Sequence, residues 1–389
     1  MVSAILSRDE IKKEFPPSQE CLYLNTGSCG RKPQAVLAAI NQGWTDFNVN
    51  PTITTFIDQS PWELARGAVA KLLNVPANSL LLVQNSTHGL HLLLNSFLDC
   101  APDELITTNH EHGCVSALRR HLHETKGIKT FVHEVDELCD TDHLINGVIS
   151  LITANTKMIL VSELDGFTGQ RHDLSRLVEH CQGAGIPLLV DGAHCLGQVI
   201  CDPARYPMWV ASGHKWLGGP NGTGIVYVAP HLVPKLKPVW VGDKHFERKD
   251  ADINDLRRFE SQGTCDVVRW YGLAAAVDLQ LRLGARRIYE REMQLLTYLH
   301  DRMQDLHPTF RRRVRNDDPR SAMLAFYWRE DQVRVPDLKE ALWERHKIWV
   351  QPDFINLKPH TGVRISCHYC LEEDDIDRFV VALKELIND

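Results

Sequence analysis

The sequence predicts an α/β protein in which a mostly parallel sheet, covered by helices on both faces, forms a large domain that is followed by a smaller α/β domain. Three observations support this fold. The chain has 389 residues, of which 43% are hydrophobic and 24% charged, so it can bury a sizeable core in two domains. Short apolar runs alternate with longer helical segments, as they do in βαβ units. From about Trp270 onward helices dominate, and the pattern then becomes mixed.

Seven apolar runs are the predicted strands of the large domain. They are Ser79–Gln84, Glu104–Thr108, Lys129–His133, Met158–Ser162, Pro187–Val190, Met208–Ala211 and Gly224–Val228. The helix after the first strand is predicted to be capped by Ser86 or Thr87 and to extend to Phe97. Further helices are predicted over Val115–Glu124 and Leu174–Gln182.

The C-terminal third predicts the smaller domain. Its predicted helices are Tyr271–Leu283, Ile288–Leu306, Val335–Glu344 and Glu373–Leu386, and its predicted strands are Met323–Tyr327 and Val363–Cys367.

Charge and hydropathy argue against nucleic-acid and membrane functions. The net charge is -7, and the basic run Arg311–Arg315 is followed directly by Asp317 and Asp318, which is typical of a solvated loop. No apolar run approaches the roughly 20 residues that a membrane helix needs. The N-terminus has no apolar run that predicts a signal peptide.

Cysteine usage predicts a reduced, cytoplasmic protein without a metal site. Eleven cysteines, an odd number in a long chain, suit free thiols better than a disulfide framework. Cys367-His368-Tyr369-Cys370 is a CxxC without a second pair. His110-Glu111-His112-Gly113-Cys114 has a cysteine where a zinc-binding helix would need its second histidine.

Five of the predicted strands are followed by polar or ionisable residues. In open α/β sheets, ligands bind beyond the carboxyl ends of the strands, so we expect these segments to converge on one site. The segments are Asn85-Ser86-Thr87-His88, Asn109-His110-Glu111-His112, Glu163-Leu164-Asp165-Gly166, Asp191-Gly192-Ala193-His194 and Ser212-Gly213-His214-Lys215.

Asp191 and Lys215 indicate the chemistry of that site. Asp191 ends an apolar strand, where a buried acid needs a cation or a good donor, although it could also cap the following turn. Lys215 lies in a glycine-rich loop, where it is either a solvated lysine or one that forms an imine. A lysine imine with an aldehyde cofactor, together with an acid on the ring nitrogen, is the pattern of pyridoxal 5′-phosphate enzymes.

Donors for a phosphate are predicted next to these two residues. Ser86, Thr87 and the first amides of the following helix can form an anion site, to which Ser212 and His214 can add. The sequence contains neither GxGxxG nor GxxxxGK[ST], so neither a dinucleotide nor a nucleoside triphosphate is indicated.

A family resemblance rests on these segments and on others along the chain. The segments are Asp191–His194, Ser212–Lys215, Gly219–Gly224, Asn25–Ser28, Thr107–His112, Phe259–Asp266 and Val363–Cys367. Together they resemble the class V aminotransferase family of fold-type I pyridoxal-phosphate enzymes, and the last two are most similar to its isopenicillin N epimerase-like branch. The resemblance implies an N-terminal arm (1–30), a large cofactor-binding domain (31–265) with a seven-stranded sheet, a small domain (266–389) and a homodimer with shared active sites.

The resemblance also implies a role for each matching residue. Lys215 would be the Schiff-base lysine and the base at Cα, and Asp191 would pair with the pyridine nitrogen. His112 would stack on the cofactor, unless it is an ordinary loop histidine. Arg364 would bind the substrate carboxylate, unless it forms a surface ion pair. The other cofactor-binding residues would be Ser86, Thr87, His88, His194, Ser212 and His214, with Gly263 and Thr264 reaching the partner subunit's phosphate, and the other substrate-binding residues would be Asn25 and Gly27.

Two positions depart from the family pattern. His194 stands where many relatives have glutamine, and unlike glutamine it can titrate. Glu163 stands where relatives often have asparagine near the cofactor, so Asp165 or Thr168 could make that contact instead.

The expected reaction starts with removal of the Cα proton from an amino acid. A desulfurase that forms a persulfide needs a nucleophilic cysteine in the loop before Arg364, and the segment Trp349–Val363 contains none. Cys367 and Cys370 follow that arginine and are expected to be buried thiols. The sequence therefore favours a C–S lyase that acts by β-elimination on cysteine, cystine or a cysteine-conjugate sulfoxide. An epimerase, an aminotransferase and a non-catalytic binding protein remain alternatives.

The substrate pocket is expected to draw on four segments. They are Asn25–Cys29, Trp44–Ile57, Trp240–Phe246 and Gln351–His360.

Overall fold

The structure is a computed structural model. It describes residues 7–18, 20–135, 140–239, 241–242, 252–260, 263–306, 310–312, 321–329, 338–352 and 360–388. Parts of five sequence predictions lie outside these residues: the pocket segments at 240, 243–246 and 353–359, the basic run and its acidic neighbours at 313–318, the motif residues 261–262 and the helix start at 335–337.

The described strands build three sheets. They are β1 (Leu22–Tyr23), β2 (Leu80–Val83), β3 (Glu104–Thr108), β4 (Lys129–His133), β5 (Thr156–Ser162), β6 (Leu188–Asp191), β7 (Met208–Ser212), β8 (Gly224–Val228), β9 (Arg311–Arg312), β10 (Met323–Arg329), β11 (Ile348–Trp349), β12 (Gln351–Pro352) and β13 (His360–Ser366).

The large sheet has seven strands in the order β2-β8-β7-β6-β5-β3-β4. Strand β8 runs antiparallel to both of its neighbours, and every other neighbouring pair is parallel. Because β2 is antiparallel to β8, it points the same way as β7. The carboxyl ends of β2, β3, β5, β6 and β7 therefore lie at the same edge of the sheet. The predicted α/β fold with a mostly parallel seven-stranded sheet is confirmed.

Helices cover both faces of this sheet because its strands are apolar on both sides. In β2, Leu80 and Leu82 belong to one buried cluster, whereas Leu81 and Val83 belong to another on the opposite face. Every residue of β2, β6, β7 and β8 is buried. Alternation of side chains between two covered faces explains why these strands read as continuous apolar runs.

The described helices outnumber those that the sequence predicted, and most of the predicted ones are longer in the structure. They are α1 (Arg8–Glu14), α2 (Gln34–Phe47), α3 (Ser60–Leu73), α4 (Ser86–Phe97), α5 (Gly113–Lys126), α6 (Thr141–Ser150), α7 (Ser175–Ala184), α8 (Val268–Leu283), α9 (Ala285–Leu306), α10 (Leu338–His346) and α11 (Glu373–Asn388).

Helix α4 begins differently from the prediction. Its N-cap is Asn85, not Ser86 or Thr87, and the Asn85 side chain accepts a hydrogen bond of 2.9 Å from the His88 amide. Because Asn85 supplies the cap, the hydroxyl of Ser86 is not used for it.

The C-terminal part of the chain forms a second core around an antiparallel sheet in the order β12-β13-β10-β9. The N-terminal arm joins this core, because β1 pairs with β11 and Leu22 and Leu24 are buried there. The arm then continues to the edge of the large sheet, where the Gly30 amide donates to the His214 carbonyl oxygen at 2.9 Å. The predicted boundaries at 30 and 265 stay predictions.

Neither a membrane-spanning helix nor a metal-binding cluster is found in the described residues. Among the described helices, none combines the length and the apolar character that crossing a bilayer requires. In the same residues, no group of three or more His, Cys, Asp or Glu side chains is arranged to hold a metal ion.

Candidate active site

A cavity of about 610 Å³ opens at the carboxyl edge of the large sheet. All five polar strand ends contribute to its lining. The lining residues are Ser28, Asn85, Ser86, Thr87, His110, His112, Gly113, Ser162, Leu164, Gly166, Phe167, Asp191, Ala193, His194, Ser212, His214, Lys215 and Arg364. The strand order explains this convergence, because neighbouring parallel strands place their following loops side by side.

Lys215 follows β7 and extends into the cavity. Its Nζ lies 3.0 Å from Nε2 of His194. Burial lowers the pKa of Lys215 to about 8, with Arg364 acting in the same direction and Asp191 opposing it. About one-tenth of this amine is therefore neutral at pH 7, compared with a few parts in ten thousand for an ordinary lysine. A neutral amine is the form that can attack a carbonyl carbon or accept a proton.

Asp191 is the last residue of β6 and is almost fully buried. Its Oδ1 accepts a hydrogen bond of 2.8 Å from the Ala193 amide. Burial raises the pKa of Asp191, while that hydrogen bond and the charges of Lys215 and His112 lower it. An acid in this position gains from a cationic partner, such as a protonated ring nitrogen.

His112 caps helix α5 and faces the same cavity. Its Nδ1 accepts a hydrogen bond of 3.2 Å from the Cys114 amide. Burial and the positive charge of Lys215 lower the pKa of His112, so its ring is a neutral, flat surface at pH 7.

The N-terminus of α4 forms the anion-binding end of the cavity. The hydroxyl of Ser212 donates to that of Ser86 at 3.1 Å, which brings the ends of β7 and β2 together. Thr87 and the amides of the first turn lie beside them, at the positive end of the helix dipole. His214 also lines the cavity, and burial lowers its pKa to about 4.

Arg364 in β13 is the second cation of the site and is 3% exposed. Its Nη1 donates to the Gly166 carbonyl oxygen, and its Nη2 lies 3.3 Å from Oδ1 of Asn25. An ideal Cβ at Gly166 would lie 3.0 Å from His194 Nε2, so only glycine leaves this space between His194 and Arg364 open.

Several predicted residues stand outside the lining. Asn25 supports Arg364 from behind, and an ideal Cβ at Gly27 would lie 3.2 Å from Arg364 Nη2, so both residues contact the arginine without lining the cavity. His88 points away, where its Nδ1 accepts from the Gln84 amide at 3.4 Å and burial lowers its pKa to about 4. Gly263 and Thr264 are exposed and do not join the site within this chain.

Glu163 also turns away from the cavity. Arg171 donates to its Oε1 at 2.8 Å, and the Trp209 indole donates to its Oε2 at 3.3 Å. The position at which relatives often have asparagine is therefore occupied here by one member of a buried ion pair. Segment Trp44–Ile57 does not line the cavity either.

Two buried acids, Asp165 and Glu111, were predicted only as members of the strand-end segments, with Asp165 also an alternative to Glu163, and they contact residues of the cavity without lining it. Asp165 bonds His110 through Oδ2, and Glu111 accepts from the hydroxyls of Thr108 and Ser162 at 2.8 and 2.6 Å. Burial raises the pKa of Glu111 to about 8, and the nearby charge of Asp191 adds to this. Their placement directly after β3 and β5 was the available signal, but the sequence did not show which side chains turn inward.

The side chains of the cavity fit pyridoxal phosphate. Lys215 can bind the aldehyde, Asp191 the ring nitrogen, and the α4 amides with Ser86, Thr87 and Ser212 the phosphate. One buried atom supports this fit: Nδ1 of His194 has no hydrogen-bond partner among the described residues, although it is enclosed at the edge of the cavity. A polar group bound beside it would supply that partner.

A family comparison agrees with this donor set. The family model for class-V aminotransferases matches residues 22–379 of the chain. The chain belongs to the class-V aminotransferase family. This is a family of pyridoxal-phosphate-dependent enzymes, so the predicted family, enzyme class and cofactor are confirmed.

Proteins similar to this chain are named after different reactions. The chain is 26% identical over 400 residues to the isopenicillin N epimerase of Streptomyces clavuligerus, covering 98% of this chain and 99% of that protein. It is 24% identical over 409 residues to a probable cysteine desulfurase of Pyrococcus abyssi, covering 97% of each. Its fold is similar to that of the cystine C–S lyase C-DES, solved with its product cysteine persulfide, at a TM-score of 0.83 and 23% identity, covering 95% of this chain and 99% of that one.

Proposed function

We propose that the protein is a pyridoxal-phosphate-dependent C–S lyase that acts by β-elimination on cysteine, cystine or a cysteine-conjugate sulfoxide. The observation that supports this most directly is that two side chains with complementary roles line the same cavity. They are Lys215, an amine with a pKa of about 8, and Arg364, a carboxylate-binding guanidinium. The relatives named as desulfurases and the fold of a cystine lyase add support.

The cofactor supplies an aldehyde for the substrate amine and a ring that withdraws electrons from Cα. The protein's own residues bind the substrate and the cofactor and move the proton. Arg364 binds the α-carboxylate with a planar donor set, and Asp191 holds a positive charge at the ring nitrogen. Lys215 removes the Cα proton in its neutral form. The hydroxyls of Ser86 and Ser212 hold the phosphate.

A persulfide route on the protein is disfavoured by the position of the cysteines. None of the described residues that line the cavity is a cysteine, and the segment Trp349–Val363 contains none in sequence. Cys367 lies beyond Arg364 and is buried, and burial raises the pKa of its thiol. A buried thiol with a raised pKa is a poor nucleophile.

Epimerisation is the second candidate, because the relative that matches the chain over 98% of its length is named isopenicillin N epimerase. An epimerase returns the Cα proton to the opposite face, whereas a lyase expels the β-substituent. Both use the same Lys215, Asp191 and Arg364.

The quaternary state and location belong to this proposal as well. Gly263 and Thr264 are exposed and do not line the cavity of their own chain, and a homodimer would let them reach the cofactor phosphate of the partner subunit. Free thiols throughout the described residues suit a cytoplasmic location.

Product analysis tests the proposal. The cofactor-loaded enzyme is incubated with cysteine, cystine, cysteine sulfoxides and pairs of D- and L-amino acids, and pyruvate, released sulfur and optical inversion are measured together. Pyruvate formation is expected, and inversion without pyruvate would favour the epimerase instead. Lys215→Ala should abolish both the borohydride-trapped cofactor and turnover, whereas Lys235→Ala, at an exposed lysine outside the cavity, should change neither.

A further inference from the structure

We propose that His110, oriented by Asp165, is a second acid–base residue of this site and protonates the sulfur that leaves Cβ. The inference rests on the proposed β-elimination. It assigns a proton donor to a step that Lys215 does not serve, since Lys215 acts at Cα.

The first support is a buried histidine–carboxylate pair at the wall of the cavity. His110 Nδ1 lies 2.5 Å from Asp165 Oδ2, and both side chains are more than 90% buried. His110 lines the cavity, and its ring packs edge to face against the Phe167 ring, 5.8 Å away. A histidine that is fixed at Nδ1 by a carboxylate exchanges protons with a substrate through Nε2.

The second support is the way in which Asp165 is fixed. Its Oδ1 accepts hydrogen bonds from the amides of Phe167 and Thr168, at 2.7 and 2.8 Å. Burial alone would raise the pKa of Asp165, but His110 and these amides hold it well below its usual range. A permanently charged carboxylate against Nδ1 keeps a proton on that nitrogen and stabilises the imidazolium form.

The third support is the position of the pair relative to Lys215. Strands β7 and β3, which end at Lys215 and His110 respectively, are separated by β6 and β5 in the sheet. The two residues therefore enter the cavity from different sides. Asp165 is followed by Gly166, whose carbonyl oxygen accepts from Arg364. A substrate held by its carboxylate at Arg364 thus has the His110 side of the cavity available for its side chain.

The step balances in atoms and electrons. Lys215 takes the proton from Cα, and the electron pair of that C–H bond forms the Cα=Cβ bond. The Cβ–S bond breaks with its electron pair on sulfur. His110 transfers the Nε2 proton to that sulfur, which leaves as a neutral thiol or persulfide, and the imidazole regains a proton from water before the next turnover.

Two other titratable groups near the pair are His172 and Glu111. The charge of His172 helps to lower the pKa of Asp165, and its Nδ1 is 2.9 Å from the hydroxyl of Thr141. Glu111 adjoins His110 in sequence, but its carboxyl group is bonded to Thr108 and Ser162 and lies beside Asp191. His172 does not line the cavity, which makes it a matched control.

Leaving-group dependence tests the proposal in the cofactor-loaded enzyme. Alkanethiolate is a poor leaving group that needs a proton, whereas chloride needs none. We therefore expect His110→Gln to lower kcat for S-alkylcysteine elimination by about 10²-fold or more. The same variant should keep β-chloroalanine elimination within about threefold, because the other steps use residues that are unchanged. His172→Gln should leave the ratio of the two rates as in the wild type.

A spectroscopic readout tests the role of Asp165 without turnover. In Asp165→Asn, the side-chain oxygen must accept the hydrogen bonds that the Phe167 and Thr168 amides donate. The new NH₂ group therefore faces His110 Nδ1. The ring must then accept at Nδ1 and carry its proton on Nε2. Nitrogen-15 NMR of labelled histidine, with the His110 signal identified by its loss in His110→Gln, should show Nδ1 protonated in the wild type and unprotonated in Asp165→Asn.

The outcomes separate the two proposals. If the wild type releases pyruvate from neither substrate, the proposed elimination fails. If it does so and His110→Gln loses both activities equally, or neither, His110 is not the acid for the leaving group. An Nδ1 that stays protonated in Asp165→Asn would refute the orienting role of Asp165.

Discussion

Gly30 ties the N-terminal arm to the backbone of Lys215, and we predict that adding one methyl group there disrupts the site. An ideal Cβ at residue 30 would lie 2.0 Å from the carbonyl oxygen of Lys215. Real Cβ atoms essentially never come closer than 3.0 Å to such an atom, so Gly30→Ala must separate the two segments by at least 3.0 − 2.0 = 1.0 Å. The neighbouring hydrogen bond, from the Gly30 amide to the His214 carbonyl oxygen at 2.9 Å, is lost or lengthened with it.

A shift of this size is large for catalysis. Misplacing a reacting group by about 1 Å can lower the rate by about 10²-fold, and we expect a loss of that order in kcat/KM for Gly30→Ala. The assay is pyruvate release, with cofactor capture followed by the visible absorbance of the lysine imine. Gly183→Ala in α7 is the control, because nothing lies within 4 Å of its Cβ, and it should keep full activity. Wild-type kcat/KM in Gly30→Ala, or an equal loss in the control, would refute the reasoning.

Three further predictions concern charge. Cofactor capture by Lys215 needs the neutral amine, so its rate should rise with pH to a plateau with a midpoint near 8, and a midpoint near 10.5 in stopped-flow measurements would contradict the effect of burial. Glu260→Ala removes the carboxylate that lies 2.7 Å from Arg66 Nη2 and leaves this buried guanidinium with the weaker, 3.4 Å contact to the exposed Glu63, so the free energy of unfolding in urea should fall by about 3 kcal/mol. Burial raises the pKa of Glu292 well above 4.5, so the folded state binds this proton more tightly than the unfolded chain and stability falls as pH rises above 4.5. Glu292→Gln keeps the acceptor for the Tyr369 amide and should gain stability over the wild type from pH 5 to pH 8, and an equal difference at both pH values would argue against a neutral carboxyl group.

The sheet and the principal site residues were accessible from sequence because each depends on local chemistry. A strand that is buried on both faces is expected to be a nearly continuous apolar run, and the fully buried strands β2, β6, β7 and β8 satisfied this. The ends of parallel strands meet at one edge, so Asp191 and Lys215 could be brought together without knowledge of any contact. Assigning one residue to the end of β6 and the other to the loop after β7 was sufficient.

Other features depend on tertiary contacts that have no local signature. The pairing of Leu22 and Tyr23 with β11 joins residues more than 300 positions apart. His88 follows β2 within a polar segment, yet the rotation of α4 turns it out of the cavity. Glu163 stands where relatives often have asparagine near the cofactor, but Arg171 and the Trp209 indole hold its carboxyl group away from the cavity lining. In each case the backbone position was predictable and the side-chain direction was not.

The histidines around the cavity show how burial decides which groups titrate there. Burial lowers the pKa of His88 and His214 to about 4 and that of His194 well below its usual value, so all three imidazoles are neutral between pH 5 and 8. Phosphate binding then depends on hydroxyl groups and helix amides, whose donor capacity does not change over this range. Neutral His194 can also accept a hydrogen bond from Lys215 through their 3.0 Å contact. The pH dependence of turnover in this range should therefore follow the ionisation of Lys215, and not that of His88, His194 or His214.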